Sequence, residues 1–108
     1  MPSYRIHLPV GTMRPGHAPG EVLDTLVAVV GSHVVVEHQD VEIVRGVPRA
    51  VVRLLVPATS RADEDALAYR IADDAVTGVG EVATCGVPVI TRRDGGRFLP
   101  LAGSAGAS

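Results

Sequence analysis

His7 and His38 are the residues of this sequence best suited to chemistry, because the predicted sheet places both imidazoles on one face. Imidazole binds metal ions and exchanges protons near neutral pH. A third predicted strand separates their backbones by roughly 9–10 Å, whereas a metal–nitrogen bond measures about 2.0–2.1 Å. His33 has the opposite strand parity, His17 falls in a loop, and no His-x-His, HExxH or CxxC spacing occurs. The sequence therefore predicts no metal site.

The sheet face that carries these two histidines is the main candidate surface. Its predicted ligand-binding or interface residues are His7, His38, Asp40, Val51, Arg53 and Leu55. A two-residue turn at Gly46-Val47 sets the pairing and puts Asp40 opposite Arg53 as a cross-strand ion pair. Three interpretations stay open: a solvated face with matched charges, a surface for a second copy or a protein partner, and a ligand or catalytic site.

Two groups of cations are candidates for binding an anion. Arg14 and His17 lie in a Gly- and Pro-rich loop between a strand and a helix, where free N–H groups and the helix dipole attract negative charge. Arg92, Arg93 and Arg97 surround a predicted Asp-Gly-Gly turn and form the densest positive cluster. The alternatives are a mobile connector for the loop and, for the cluster, a charged edge strand that resists aggregation.

Cys85 is the single cysteine, so no intramolecular disulfide can form. No histidine or acidic residue adjoins it, and a small thiol in an apolar strand usually packs as a hydrophobe. The phosphate-binding patterns GxxxxGK[ST] and GxGxxG are absent as well. The sequence therefore predicts neither a catalytic set nor a cofactor.

Hydrophobic periodicity predicts the elements that must position these residues. It indicates strands over 4–10, 33–44, 49–56 and 82–90, with a short further strand at 97–101. One helix is predicted from residue 19 to a left-handed cap at Gly31, and a second from an N-cap at Ser60 to Gly78 and Gly80. Pro88 predicts that its end of the fourth strand lies at a sheet edge.

The second predicted strand, HVVVEHQDVEIV, changes parity along its length. Val34 and Val36 share one parity, while Val41 and Ile43 share the other, although side chains of a regular strand alternate with period two. The hairpin pairing places Val41 and Ile43 under the helices. An extra residue between Glu37 and Asp40 would bring both pairs to the same face, so we expect a bulge or sharp twist there.

The element order β-α-β-β-α-β resembles that of ferredoxin-like α/β sandwiches over residues 4–90. The resemblance implies an α+β domain with a four-stranded antiparallel sheet in the order 4-1-3-2 and both helices on one face. It concerns the architecture alone, which hosts many unrelated functions. We expect one domain over 1–101, including the short C-terminal hairpin strand, and a disordered tail over 102–108.

Composition narrows the classes of partner. The net charge is −2, and the predicted outer sheet face has no Phe or Tyr on which RNA bases could stack, so nucleic acid is a poor fit. The N-terminus lacks the charged and apolar regions of a signal peptide, and no apolar run approaches the ~20 residues that cross a bilayer. These features predict a soluble, cytoplasmic protein without a membrane partner.

The sequence favours a small non-enzymatic module that self-associates, most simply as a homodimer, or binds a protein partner through the open sheet face. Its alternative is a small dimeric α/β-barrel enzyme or ligand-binding protein with a site between that face and the partner. In that case His7, His38 and Arg53 would supply the polar groups.

Overall fold

The computed structural model describes residues 1–101 as a mixed α+β fold with two helices and an open antiparallel sheet of six strands. The predicted tail at 102–108 lies outside the described residues. The elements are β1 (Ser3–Met13), α1 (Gly20–Gly31), β2 (Val35–Val44), β3 (Val47–Leu55), α2 (Arg61–Val79), β4 (Ala83–Cys85), β5 (Val89–Asp94) and β6 (Arg97–Pro100). No helix within this part of the chain is long and apolar enough to cross a membrane.

The strand order is β2-β3-β1-β5-β6, with β4 pairing separately to β1. The predicted four-stranded order is therefore not matched in full, because the expected fourth strand is broken and β6 adds an edge. Residues 86–88 separate β4, which pairs with the end of β1, from β5, which pairs with its start. Pro88 lies in this break, so its missing N–H interrupts no pairing between strands. The strand that follows it, β5, pairs with β1 on one side and with β6 on the other.

The core lies between the sheet and the two helices. Tyr4, Ile6 and Leu8 alternate into it from β1, as predicted, and all three are fully buried. Apolar stripes at the predicted helical positions meet them from Leu26 on α1 and Ile71 on α2. Within residues 1–101 no helix covers the opposite face of the sheet, which we call the outer face.

β1 is longer than predicted and continues to Met13. Met13 pairs with Ala83, and the Thr12 N–H donates to Thr84 Oγ1 at 2.8 Å. This pairing turns the first part of the predicted glycine-rich loop into strand. The connection to α1 shrinks to residues 14–19.

The helix ends follow the sequence at α2 and depart from it at α1. Ser60 caps α2 as predicted, and its Oγ accepts from the Asp63 N–H at 3.1 Å. At α1 the left-handed cap predicted at Gly31 is wrong: Gly31 belongs to the helix and Ser32 caps it in a right-handed conformation. Ser32 Oγ donates to the Val29 carbonyl at 2.6 Å, so this carbonyl is satisfied without a left-handed residue.

The predicted bulge in β2 is confirmed. Val36 pairs with Leu54 and His38 pairs with Arg53, so Glu37 is the extra residue. Val36 consequently packs toward the core while Glu37 and His38 both lie beside Arg53.

The predicted hairpin register is wrong by two residues. Ala50 pairs with Val41 and not with Ile43, because the turn is Arg45-Gly46, with φ of 53° and 80°. Positive φ at both central residues defines a type I′ turn. The predicted turn at Gly46-Val47 would have closed on Pro48, which has no N–H for the hydrogen-bonded pair beside a two-residue turn.

Residues 41–48, here called the arm, extend the hairpin beyond the cover of the helices. Val41 and Ile43 have the helix-side parity that we predicted, yet they are 53% and 72% exposed. On the outer side of the arm, Val44 and Val47 are 40% and 46% exposed. The expectation that Val41 and Ile43 lie buried under the helices is therefore wrong, since α1 begins too far from the turn to cover them.

Replacing Arg45 by asparagine should stabilise the hairpin. An L residue with a long side chain is strained at φ 53°, whereas Asn-Gly is a preferred type I′ pair. We expect the free energy of unfolding of Arg45→Asn to rise by about 0.5–1 kcal/mol in urea titrations. Gly46→Ala, at φ 80°, should lower it. An unchanged or lower stability of Arg45→Asn would contradict the turn.

Candidate functional site

A pocket of about 160 Å³ on the outer face brings most of the predicted site together. Its lining comprises Arg5, His7, His38, Asp40, Glu42, Val51 and Arg53. Five of the six residues predicted for this face are among them, and Leu55 is not. Arg5 and Glu42 also line the pocket, because β1 and β2 both pair with β3. In this pairing Arg5 lies directly opposite Arg53.

One side of the pocket is a chain of paired charges. His7 Nδ1 lies 2.9 Å from Glu42 Oε1, and Arg49 Nη2 donates to the same carboxylate oxygen. Burial lowers the pKa of His7 below its usual 6.5, against the raising effect of Glu42. The neutral imidazole must then donate from Nδ1–H to Glu42, which leaves Nε2 as a hydrogen-bond acceptor.

The depressed pKa of His7 makes stability depend on pH. Near pH 6 the unfolded chain binds more protons at His7 than the folded chain does. The contribution of neutral His7 to the free energy of unfolding is therefore fully present above pH 6.5 and is lost as pH falls through the folded pKa. We expect the difference in unfolding free energy between wild type and His7→Gln to shrink from about pH 7.5 to about pH 5 in urea titrations. The other three histidines are present in both chains. A constant difference would contradict this assignment.

The predicted ion pair between Asp40 and Arg53 does not form. The corrected register places Asp40 opposite Val51, and Asp40 Oδ1 accepts from the Val41 N–H at 2.8 Å. Arg53 instead faces the bulge residue Glu37, whose Oε1 lies 3.3 Å from Arg53 Nε. Ser3 Oγ also donates to Glu37, at 2.8 Å.

Phe98 from β6 reaches across the outer face to the arginines. The Arg5 guanidinium carbon lies 4.0 Å from the ring centroid, and that of Arg53 lies 5.4 Å from it. Cation–π contact of this kind holds a planar guanidinium against the ring. The predicted C-terminal hairpin strand is confirmed, since β6 pairs with β5. The expectation that the outer face carries no Phe or Tyr is wrong, because β6 brings Phe98 to this face.

The predicted positive cluster separates into different environments. Arg92 lies on the helix side, where it contacts Glu64 at 2.8 Å and Asp65 at 3.1 Å and donates to Tyr4 Oη at 2.5 Å. Burial and the neighbouring Asp65 raise the pKa of the Tyr4 hydroxyl, which stays protonated. Arg93 Nε donates to the Gly95 carbonyl, and Arg97 is exposed.

The other predicted cations also have local partners. Arg14 Nε donates to the Gly80 carbonyl at 2.5 Å, and its backbone N–H donates to the Val82 carbonyl. His17 Nδ1 lies 3.3 Å from Glu21 Oε1, one helical turn away. These contacts tie the connection before α1 to the end of α2 and to the first turn of α1.

Cys85 is a half-buried free thiol in β4, and burial raises its pKa above the usual value, which favours the unreactive thiol form. Within residues 1–101, no three His, Cys, Asp or Glu side chains lie close enough together to hold a metal ion.

A second, larger concavity lies beside the arm on the helix side of the sheet. This arm groove has a volume of about 480 Å³. Its apolar walls include Met13, Val22, Leu23, Val41, Pro48 and Ala50. Sequence periodicity could not reveal this groove, since the groove lies where the hairpin extends beyond the cover of α1.

Comparison of the chain with protein-family models, with curated proteins and with solved structures finds no match.

Proposed function

We propose that this chain is a ferredoxin-like module whose function is to form a homodimer through the arm and the arm groove. One observation carries the proposal: on the helix side of the arm, Val41 and Ile43 are 53% and 72% exposed beside the apolar arm groove. Contiguous exposed apolar surface marks interaction sites in folded proteins. The cytoplasm remains the compartment predicted from the sequence.

The helix-side surface of the arm favours a second copy as its partner. The exposed Val41 and Ile43 adjoin the apolar arm groove on the same molecule. In a two-fold dimer each copy presents the same patch to the other. The projecting residue of each copy can then enter the groove of the other copy, which gives two equivalent contacts. Ile43 of one protomer would fill the groove of its partner.

Pairing between the free edges of two β2 strands is a weaker alternative. The Glu37 bulge interrupts the ladder geometry near the start of β2, and the Asp40 carboxylate accepts from the Val41 N–H. Bulges and charged groups are devices that protect edge strands from such pairing. Packing of side chains across the arm therefore suits the dimer better than extension of the sheet.

The centre of the outer face contributes less to the proposed contact than the arm does. Val51, which we expected to be an exposed apolar contact, is only 8% exposed. Glu37 and Glu42 already hold intramolecular ion pairs there. Covering paired charges gains little, whereas covering Ile43 removes a large aliphatic side chain from water.

Sedimentation velocity over protein concentrations from about 1 µM to about 1 mM, which spans weak to moderate affinities, tests the proposal. We expect the weight-average sedimentation coefficient to rise with concentration and to level off at the value of a dimer. A coefficient that stays at the monomer value over the whole range would contradict the proposed function.

A further inference from the structure

We propose that Arg5, Arg53 and Phe98 form a binding site for a small oxyanion, a carboxylate or a phosphate, on the outer face. The site is separate from the arm groove, which lies on the other side of the sheet. Arg5 and Arg53 line the pocket of about 160 Å³, which has the volume of about five water molecules and can admit such a group, and Phe98 contacts both arginines from β6.

Two guanidinium groups lie side by side in this pocket, and its two lining carboxylates do not pair with them. Glu42 is paired with His7 and Arg49, and Asp40 accepts a hydrogen bond from the Val41 N–H.

Arg5 and Arg53 are direct cross-strand neighbours, and like charges in this arrangement repel. Glu37 is the single carboxylate that pairs with either of them within residues 1–101, and it faces Arg53. A bound anion would supply the countercharge that Arg5 lacks.

The hydrogen-bond donors of Arg5 and Arg53 also support the site. Within the described chain neither guanidinium donates a hydrogen bond to a protein acceptor, and the buried Nε of Arg53 approaches Glu37 without hydrogen-bond geometry. Guanidinium groups present forked N–H donors that match the oxygens of carboxylate and phosphate. Buried donors without acceptors are costly, so an oxyanion between the two arginines would be stabilised.

Phe98 also preorganises the site by ordering Arg5. The ring of Phe98 lies 4.0 Å from the Arg5 guanidinium carbon and holds this long side chain against the sheet. His38, paired with Arg53 at the bulge, lies at the same pocket and makes no side-chain hydrogen bond to residues 1–101. An arginine that is already ordered loses less conformational entropy when it binds a ligand.

NMR titration of the full-length chain with sodium acetate and, separately, with inorganic phosphate tests the site, at constant ionic strength. We expect saturable shifts of the Arg5 side-chain Nε–H and the His38 ring for at least one probe. Saturation by acetate alone assigns the site to carboxylates, and saturation by phosphate alone assigns it to phosphorylated ligands. No saturable shift with either probe would overturn the proposal.

Matched variants separate a built site from general attraction by positive charge. Arg5→Gln should weaken binding by about tenfold or more, whereas Arg70→Gln, which removes the same charge from an exposed position on α2, should leave it unchanged. Phe98→Leu keeps both guanidinium groups and should weaken binding through lost ordering of Arg5, which covers the case in which Arg5→Gln fails to fold. Equal affinities of folded Arg5→Gln or Phe98→Leu and Arg70→Gln would contradict the site.

Discussion

An Ile43→Glu chain is expected to sediment as a monomer at concentrations where we expect the wild-type chain to sediment as a dimer. Ile43 is 72% exposed, so the substitution should leave the fold of the protomer intact. In a two-fold dimer the residue is buried twice, and losing about 1.4 kcal/mol at each copy weakens the dimer roughly 100-fold. Sedimentation velocity at matched concentrations measures this change directly.

Val87→Glu is the matched control for this substitution. Val87 is 66% exposed, like Ile43 an aliphatic residue on the surface, but it lies between β4 and β5, away from the arm. Its replacement changes net charge and hydrophobicity in the same direction and should leave the dimer unaffected. Equal sedimentation of Ile43→Glu and wild type, or equal loss of the dimer in both variants, would refute the role of the arm.

The second large effect is expected at Arg92. This side chain runs from β5 to the first turn of α2, where Glu64 is only 5% exposed and Asp65 also accepts a hydrogen bond from Tyr4. Arg92→Met would leave two adjacent carboxylates without their cation, one of them buried. Removal of one partner of such a pair is strongly destabilising, and we expect the melting temperature to fall by roughly 5–10 °C.

Arg93→Met provides the comparison, since the neighbouring Arg93 is exposed and its Nε donates to the Gly95 carbonyl of its own turn. We expect its melting temperature to stay within about 2 °C of the wild-type value in thermal unfolding followed by circular dichroism. Similar melting temperatures for the two variants would show that the Arg92 cluster contributes little to stability.

The sequence predicted those parts of the fold that depend on local periodicity. The alternation of Tyr4, Ile6 and Leu8 identified the buried face of β1, and Ser60 identified the start of α2. The parity change in β2 was enough to predict a bulge or sharp twist, because an extra residue brings Val36 to the face of the core.

Features that depend on competition between local and distant contacts were harder to predict. Two adjacent turns around Gly46 preserve the same strand parity, so the pattern of apolar residues could not choose between them. The missing N–H of Pro48 distinguishes the two turns, so the sequence did contain the information that favours the turn at Arg45-Gly46. That shift of two residues moved Asp40 away from Arg53. Together with the bulge, it placed Glu37 beside Arg53 as the ion-pair partner of that arginine.

At the candidate surfaces too, features set by local periodicity were predicted and features set by distant contacts were not. Parity alone placed His7, His38 and Arg53 on one face, and they line one pocket. The stacking of Phe98 on Arg5 could not be predicted, because it depends on a side chain of β6 reaching past β5 to β1. The exposure of Ile43 could not be predicted either, because it depends on where α1 stops covering the hairpin.

The central claim, that the arm of one protomer contacts the arm groove of another, is tested most directly by isotope-filtered NMR. A sample mixed from ¹³C-labelled and unlabelled chains reports only contacts between protomers. We predict nuclear Overhauser effects between the Ile43 methyl groups of one protomer and Leu23 of the partner subunit. A dimer that shows contacts between protomers elsewhere, and none from Ile43, would contradict the account.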